Sequence, residues 1–516
     1  MPSPTEQFVC LPELIRCVAK ASHNRGLLHS CCLVNKAFND AFTPSLYSEI
    51  WFRSENAHFL IDFPVLANNA ALRYTEILDI SIPAQHGQNT KYSNGVLCEL
   101  YNSGVASLLA KMPRLTRFRL DGIVLFSSTL ADLQEKCPMI QTLIVHHRDD
   151  IEDIIRLTDY HDFHNGYYEW RDLILTHNFS HFANLTSLQI SGLHGDLVRA
   201  RKDIVQTLLK SPNLHSLGLS INEATVESLS TMLNPRYTDF QYFLISLIKD
   251  FVDAGGTPLR LRKLILGFSI MLWVPGTYFS GLTDLACLEE VYITNQEFHG
   301  AIEFIEDNDH IAWSLFTPVN CPNLNTIGIY EFNDNVRKWA QSIPPGYIRR
   351  LSTSSATAED LNTVMGTERA TRRKLTDGPR TLTINIEDMS SLASDFTAVD
   401  LRGIQALSIV TRYRTQDVES EIISWITAAP DLEQFYLSTE QYTIPKKVGT
   451  DGTSPEDGSL EHRIVYECKK LRYLRVQNNA WRVLRLPDGG VGFERLDRFE
   501  SRDIEMFQPR HLLGGY

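Results

Sequence analysis

The residues best equipped for chemistry are histidines. His146, His147, Asp149 and Asp150 fall within five residues. His161, Asp162 and His164 follow, then His177 and His181 at i, i+4 spacing. Imidazole and carboxylate ligate divalent metals, and an i, i+4 pair would share one helix face. Nothing completes the constellation. The chain has no H-E-x-x-H, no G-x-S-x-G, and no glycine-rich phosphate loop of either common type after a strand. The simplest reading is a polar insertion between structural repeats. No catalytic residue, no metal and no cofactor are expected, and the chain is expected not to be an enzyme.

The nine cysteines are irregularly spaced and include no C-x-x-C pair, which argues against a zinc ribbon or a redox dithiol. Most sit inside apolar patterns, where a free thiol packs as a small hydrophobe. That usage fits a reducing compartment, cytoplasmic or nuclear. The formal net charge is −13, and no block of Lys and Arg offers a phosphate-binding stripe, so nucleic acid is not an expected partner. The most apolar stretch, Leu264 to Val274, is too short to span a bilayer, and no secretory leader is expected.

Residues 1–55 read as a small helical module. Leu11, Leu14, Ile15 and Val18 share one helix face, with Pro12 at the first helical position and Glu13 in the first turn. Leu27, Leu28, Cys31, Cys32 and Val34 form a second apolar set. Asn35 is placed to cap a third helix carrying Phe38 and Phe42, which closes on Pro44, Leu46 and Tyr47. So small a unit needs a partner, or the rest of the chain, to cover its apolar surface.

The order of these motifs resembles the F-box. Leu11-Pro12-Glu13-Leu14 stands where that family has Leu-Pro-x-Glu. Cys32-Leu33-Val34-Asn35-Lys36-Ala37-Phe38 stands where it has a Cys-x-Val-Ser/Cys-Lys-x-Trp-like segment. Pro44-Ser45-Leu46-Tyr47 matches the close of fungal-type members. Asn35 and Phe38 depart from the pattern but keep a cap and an aromatic. The resemblance implies docking to a Skp-type adaptor and, through it, to cullin ligase subunits. The residues it places nearest that adaptor are Leu11, Pro12, Ile15, Leu28, Val34 and Phe38.

Residues 56–516 carry a recurring L-x-x-L-x-L phrase with apolar substitutes. It begins at Ile77, Leu115, Ile140, Leu185, Leu214, Leu261, Leu288, Leu324, Ile404, Leu432 and Leu471. The last two apolar positions alternate about one residue, as in a strand. Pro113, Pro138, Pro212, Pro322 and Pro430 stand two residues before it, where they end a helix. Segments 198–210, 225–233, 240–252 and 418–428 have helical spacing. Alternating strands and helices imply an α/β solenoid of parallel strands, in which no unit buries its apolar face alone.

This pattern resembles an irregular leucine-rich repeat, with strands concave, helices convex, and long insertions at about 146–181, 352–380 and 446–462. Eleven strands would form an arc of roughly 50 Å, the scale of a protein partner. Residues beside the central apolar position should face outward. Arg117, Arg119, Tyr292, Tyr436, Tyr473 and Arg475 are the expected contacts for a protein target. Together the two resemblances imply the substrate receptor of an SCF-type ubiquitin ligase. The alternatives are a non-ligase scaffold and, behind it, a metal-binding or enzymatic repeat protein.

Overall fold

In the computed structural model the described residues are 12–22, 25–53, 63–81, 94–122, 125–146, 179–193, 197–221, 243–267, 276–293, 313–332, 334–344, 346–365, 379–386, 399, 401–411, 418–439, 455, 458–477, 479–496 and 504. The chain divides into two compact units at Leu285/Ala286.

The first unit opens with helices α1 (Pro12–Ala21), α2 (Arg25–Cys32) and α3 (Lys36–Tyr47). The Asn35 side chain accepts a hydrogen bond from the Phe38 amide at 3.0 Å and so starts α3 as expected. Strand β1 (Glu49–Arg53) follows at once and pairs in parallel with β2 (Ile77–Ser81). The helical module therefore ends at Tyr47, and residues 49–53 already belong to the repeat sheet. Parallel pairing continues in chain order through β3 (Arg117–Asp121), β4 (Thr142–His146), β5 (Ser187–Leu193), β6 (Ser216–Ile221) and β7 (Lys263–Leu266). The described helices of this stretch are α4 (Phe63–Leu66), α5 (Asn94–Leu109), α6 (Ser127–Lys136), α7 (Leu197–Leu209), α8 (Phe243–Asp253) and α9 (Gly276–Leu282).

The second unit repeats the plan. Strands β8 (Glu290–Ile293), β9 (Thr326–Glu331), β10 (Arg350–Ser355), β11 (Thr381–Ile386), β12 (Ala406–Thr411), β13 (Gln434–Thr439) and β14 (Tyr473–Val476) pair in parallel and in order. Helices α10 (Asp334–Ser342), α11 (Ala358–Met365), α12 (Val418–Thr427) and α13 (Leu460–Glu467) lie between them in sequence. An antiparallel hairpin, β15 (Asn479–Arg485) and β16 (Val491–Leu496), ends the sheet.

All eleven phrases mark strands, but the first is displaced by two residues: Leu78 and Ile80 pair with Phe118 and Leu120, so Thr75 and not Ile77 stands in register with Leu115. Two alternate positions of each point into the core: Leu217 and Leu219, or Leu407 and Ile409, are essentially inaccessible. The proline that precedes many phrases sits in a tight turn closed by the residue before it. Ile140 donates to the Cys137 carbonyl at 3.2 Å, and Leu324 to that of Cys321 at 3.1 Å. Proline suits this place because its fixed φ presets the second turn position.

The expected insertion at 352–380 is corrected in its first half: 350–355 form β10 and 358–365 form α11. Thr353 occupies the last core position of that phrase and is fully buried. Helix α11 is fixed by Asp360, which accepts from the Thr357 amide at 2.9 Å and pairs with Arg337 of α10 at 2.6 Å. Of the other two insertions, 147–178 and 446–454 lie outside the described residues, while Ser459 caps α13 and 460–462 already form its first turn.

Candidate interaction surfaces

The N-terminal module folds around its own small core. Ile15 and Ala19 of α1, Leu28 and Cys32 of α2, and Ala41 and Phe42 of α3 meet there, with Phe38 stacked on Phe42 at 5.6 Å. The Asn39 side chain donates to the Cys32 carbonyl at 3.1 Å and ties α3 back to the end of α2. Arg25 bonds the Glu49 carbonyl and so links α2 to β1.

This packing re-sorts the expected adaptor contacts. Ile15 and Leu28 are interior, 1% and 3% exposed, and cannot meet a partner without unfolding the module. Phe38 is half-buried, Val34 is exposed, Pro12 begins α1, and Leu11 lies outside the described residues. The outward apolar set is instead Leu14 and Val18, i and i+4 on α1, with Leu27 of α2 and the turn residues Leu33 and Val34, 73% and 63% exposed. The i, i+3, i+4, i+7 spacing put Leu14, Ile15 and Val18 on one apolar face, but of these three only Ile15 is interior.

On the repeats, the outer strand positions form ladders fixed by the parallel register. In the first unit Asp79, Arg119, Ile144, Gln189 and Gly218 stand in one row. Arg119 is not an accessible contact. Its guanidinium lies 3.7 Å from Asp79 and 3.7 Å from Asp121, and all three side chains are nearly closed to solvent. The register explains this: Asp79 is its direct neighbour on β2, and Asp121 is two residues along its own strand. Arg117, in the adjacent row, is half-buried.

In the second unit the corresponding row runs Tyr292, Gly328, Ser352, Thr383, Ser408, Tyr436, Arg475 and Ala480. Tyr292 is buried, contrary to expectation. Its ring covers Gly328, where no side chain would fit, and its hydroxyl donates to Glu290 at 3.2 Å. Tyr436 is half-buried beneath the Arg475 guanidinium, 4.8 Å from its ring centroid. Tyr473 is half-buried one row away. Tyr436, Tyr473 and Arg475 are thus neighbours on one surface.

Among the described residues no cluster of His, Cys, Asp or Glu could hold a metal. Of the histidines singled out, His146 ends β4 and His181 lies in a short 3-10 turn; the others lie outside the described residues. None of the described cysteines is in a disulfide. Cys137, Cys321 and Cys468 recur at one place in the repeat, three residues before the first apolar position of the phrase. Burial pushes each thiol up to about 12. Cys137 donates to the Met112 carbonyl at 3.4 Å, and Cys321 to that of Leu315 at 3.5 Å. They are packing residues, as their apolar settings implied. No described helix is long and apolar enough to cross a membrane.

No protein-family model matches the chain, and no curated protein matches it by sequence. Among solved structures the chain is similar to one described as the crystal structure of the Rad7 and Elc1 complex in yeast. The identity is 14% and the TM-score 0.38, over 86% of this chain and 97% of that one. A likeness of that degree assigns no function.

Proposed function

We propose that the chain is a non-catalytic substrate-recognition adaptor of an SCF-type ubiquitin ligase. Its N-terminal helices dock a Skp-type adaptor, and the outer face of the repeats holds a protein target. Ubiquitin transfer takes place in other subunits; this chain raises the effective concentration of target beside them. The observation that carries the reading is the exposed apolar set Leu14, Val18, Leu27, Leu33 and Val34, concentrated within 21 residues of a module whose motif order resembles the F-box. Exposed apolar side chains gathered this densely mark an association surface. A Skp-type adaptor is the occupant that the motif order implies.

The test is pull-down of a Skp-type adaptor by the full chain and by a Leu14→Asp, Val34→Asp double variant. These residues are exposed, so the variant keeps its fold and is expected to lose capture at least tenfold. Ile15→Asp is unsuitable, since a charge there would destroy the module's core. Undiminished capture by the double variant, or none by the wild type, overturns the docking assignment. A scaffold without ligase activity is the second reading. It is separated by assaying ubiquitin transfer to a protein that co-purifies with the assembled complex.

A further inference from the structure

The residue just before each parallel strand of the second unit stands at the rim of the sheet, and backbone hydrogen bonds fix these residues in one row. The Asn325 amide donates to the Glu289 carbonyl, Arg349 to Asn325, Arg380 to Arg349, Gln405 to Arg380 and Glu433 to Gln405, all at 2.8–3.0 Å. Arg349 and Arg380 are therefore direct neighbours although they come from different repeats. Both side chains are exposed, and neither guanidinium has an ion-pair or hydrogen-bond partner among the described residues. The exposed Gln405 side chain beside them has none either. The nearest carboxylates of the row are two positions out on each side, at Glu289 and Glu433, and Glu433 lies 3.7 Å from Arg472. By contrast Arg114, Arg337 and Arg482 each pair with a carboxylate. In a chain of net charge −13 the fold thus holds two bare guanidiniums side by side. Like charges so placed repel, and an anion drawn between them is stabilised by both.

We propose that this rim docks an acidic, extended segment of a partner protein, its carboxylates on Arg349 and Arg380 and its backbone against Asn325 and Gln405. The inference deepens the reading of the repeats as the target-binding part and rests on it. Charge complementarity selects the occupant: a guanidinium fork takes a carboxylate through two parallel N–H bonds. The flanking amides carry both donors and acceptors, as a peptide backbone does. Four such positions at strand spacing span about 14 Å, which an extended chain covers in about four residues. A lone phosphate would meet the two arginines and leave the amides unused, so the length of the row favours a peptide. No basic run in the sequence announces the patch, because the row takes one residue from each repeat.

The probe is a fluorescein-labelled peptide, Gly-Glu-Glu-Glu-Glu-Gly, titrated by polarisation against the full-length chain at low ionic strength. It is expected to bind the wild type saturably and the Arg349→Gln, Arg380→Gln double variant about tenfold more weakly. Both arginines are exposed, so the variant keeps its fold. A control variant, Arg114→Gln with Arg472→Gln, removes the same two charges elsewhere and should stay within about twofold of wild type. The same peptide with glutamine for glutamate should not bind. Inorganic phosphate, at matched ionic strength, should displace the glutamate peptide no better than chloride. No binding to the wild type, equal affinity for the arginine variant, an equal loss in the control variant, binding of the glutamine peptide, or displacement by phosphate overturns the proposal. Capture of the Skp-type adaptor, measured on the same preparations, does not involve the rim. Loss of peptide binding alone sinks the acidic-segment proposal, and loss of adaptor capture alone sinks the docking assignment.

Discussion

The three N-terminal helices and the repeats behind them use the same apolar residue types and distribute them in opposite ways. In the repeats, Phe118, Leu217, Phe435 and their equivalents are sealed between strand and helix. In the helices, Leu14, Leu27 and Val34 stay in solvent beside a core of six residues. Stacking explains the difference. Each repeat covers its neighbour, whereas a short helical segment has too few layers to enclose both of its faces. Exposure in the N-terminal helices therefore follows from having few layers, while burial in the repeats is the fold itself.

The largest effect should come from cutting into the sealed side. Phe435→Ala removes a fully buried ring and should cost about 3–5 kcal/mol, whereas Val34→Ala should change stability by at most about 0.5 kcal/mol. Urea unfolding of the two variants checks this. Comparable losses would mean that Val34 is part of a packed interior, and the contrast between the regions would fail.

Charge sharpens the same comparison. Arg119 is held between Asp79 and Asp121 with almost no solvent contact, while Arg482 and Glu494 pair on the surface at 42% and 48% exposure. Arg119→Met removes the charge that pairs with buried Asp79 and should cost about 3 kcal/mol. Glu494→Gln should cost no more than about 1 kcal/mol. If Arg119→Met is neutral in urea unfolding, water reaches that part of the face and the site is open to a partner after all.

Most of the strand framework was readable because core positions recur with the same chemistry. The failures have local causes. The phrase at β10 ends on Thr353 where its neighbours have Ile or Leu, and that at β11 begins on Pro379, so neither fits an apolar template. Both nonetheless align with their neighbours through backbone bonding. The closing hairpin was signalled by Leu486-Pro487-Asp488-Gly489, a turn closed by the Gly489 amide on the Leu486 carbonyl at 3.0 Å. Periodicity tuned to parallel repeats passed over it. For the outer face, alternation showed which residues leave the core but not what covers them. The burial of Arg119 follows from acidic neighbours on a paired strand, and the half-burial of Tyr436 and Tyr473 from a cluster that includes Ile504, far away in sequence. The N-terminal helices show the same limit on a smaller scale, with Ile15 buried and its sequence neighbour Leu14 exposed.

The smallest effect at neutral pH, and the finest probe of the contrast, lies in the thiols. Cys17 is exposed on α1, while Cys137, Cys321 and Cys468 are sealed beneath the repeats. Burial disfavours the thiolate and pushes these three thiols up to about 12, from an ordinary value of 9.0. Below pH 9 both folded and unfolded chains keep these protons, and the packing contribution is intact. As pH rises from 9 toward 12 the unfolded chain releases protons that the folded chain retains, so stability falls across that window. Iodoacetamide at pH 8 should modify Cys17 in the folded protein and reach the other three only in urea. The urea midpoint should fall between pH 8 and pH 10, and less steeply in Cys321→Ala than in the wild type, since that variant lacks one of the titrating groups. Labelling of Cys137, Cys321 and Cys468 at the rate of Cys17 would show that the repeats open as readily as the N-terminal helices, and the distinction between the sealed repeats and the exposed helices would be lost.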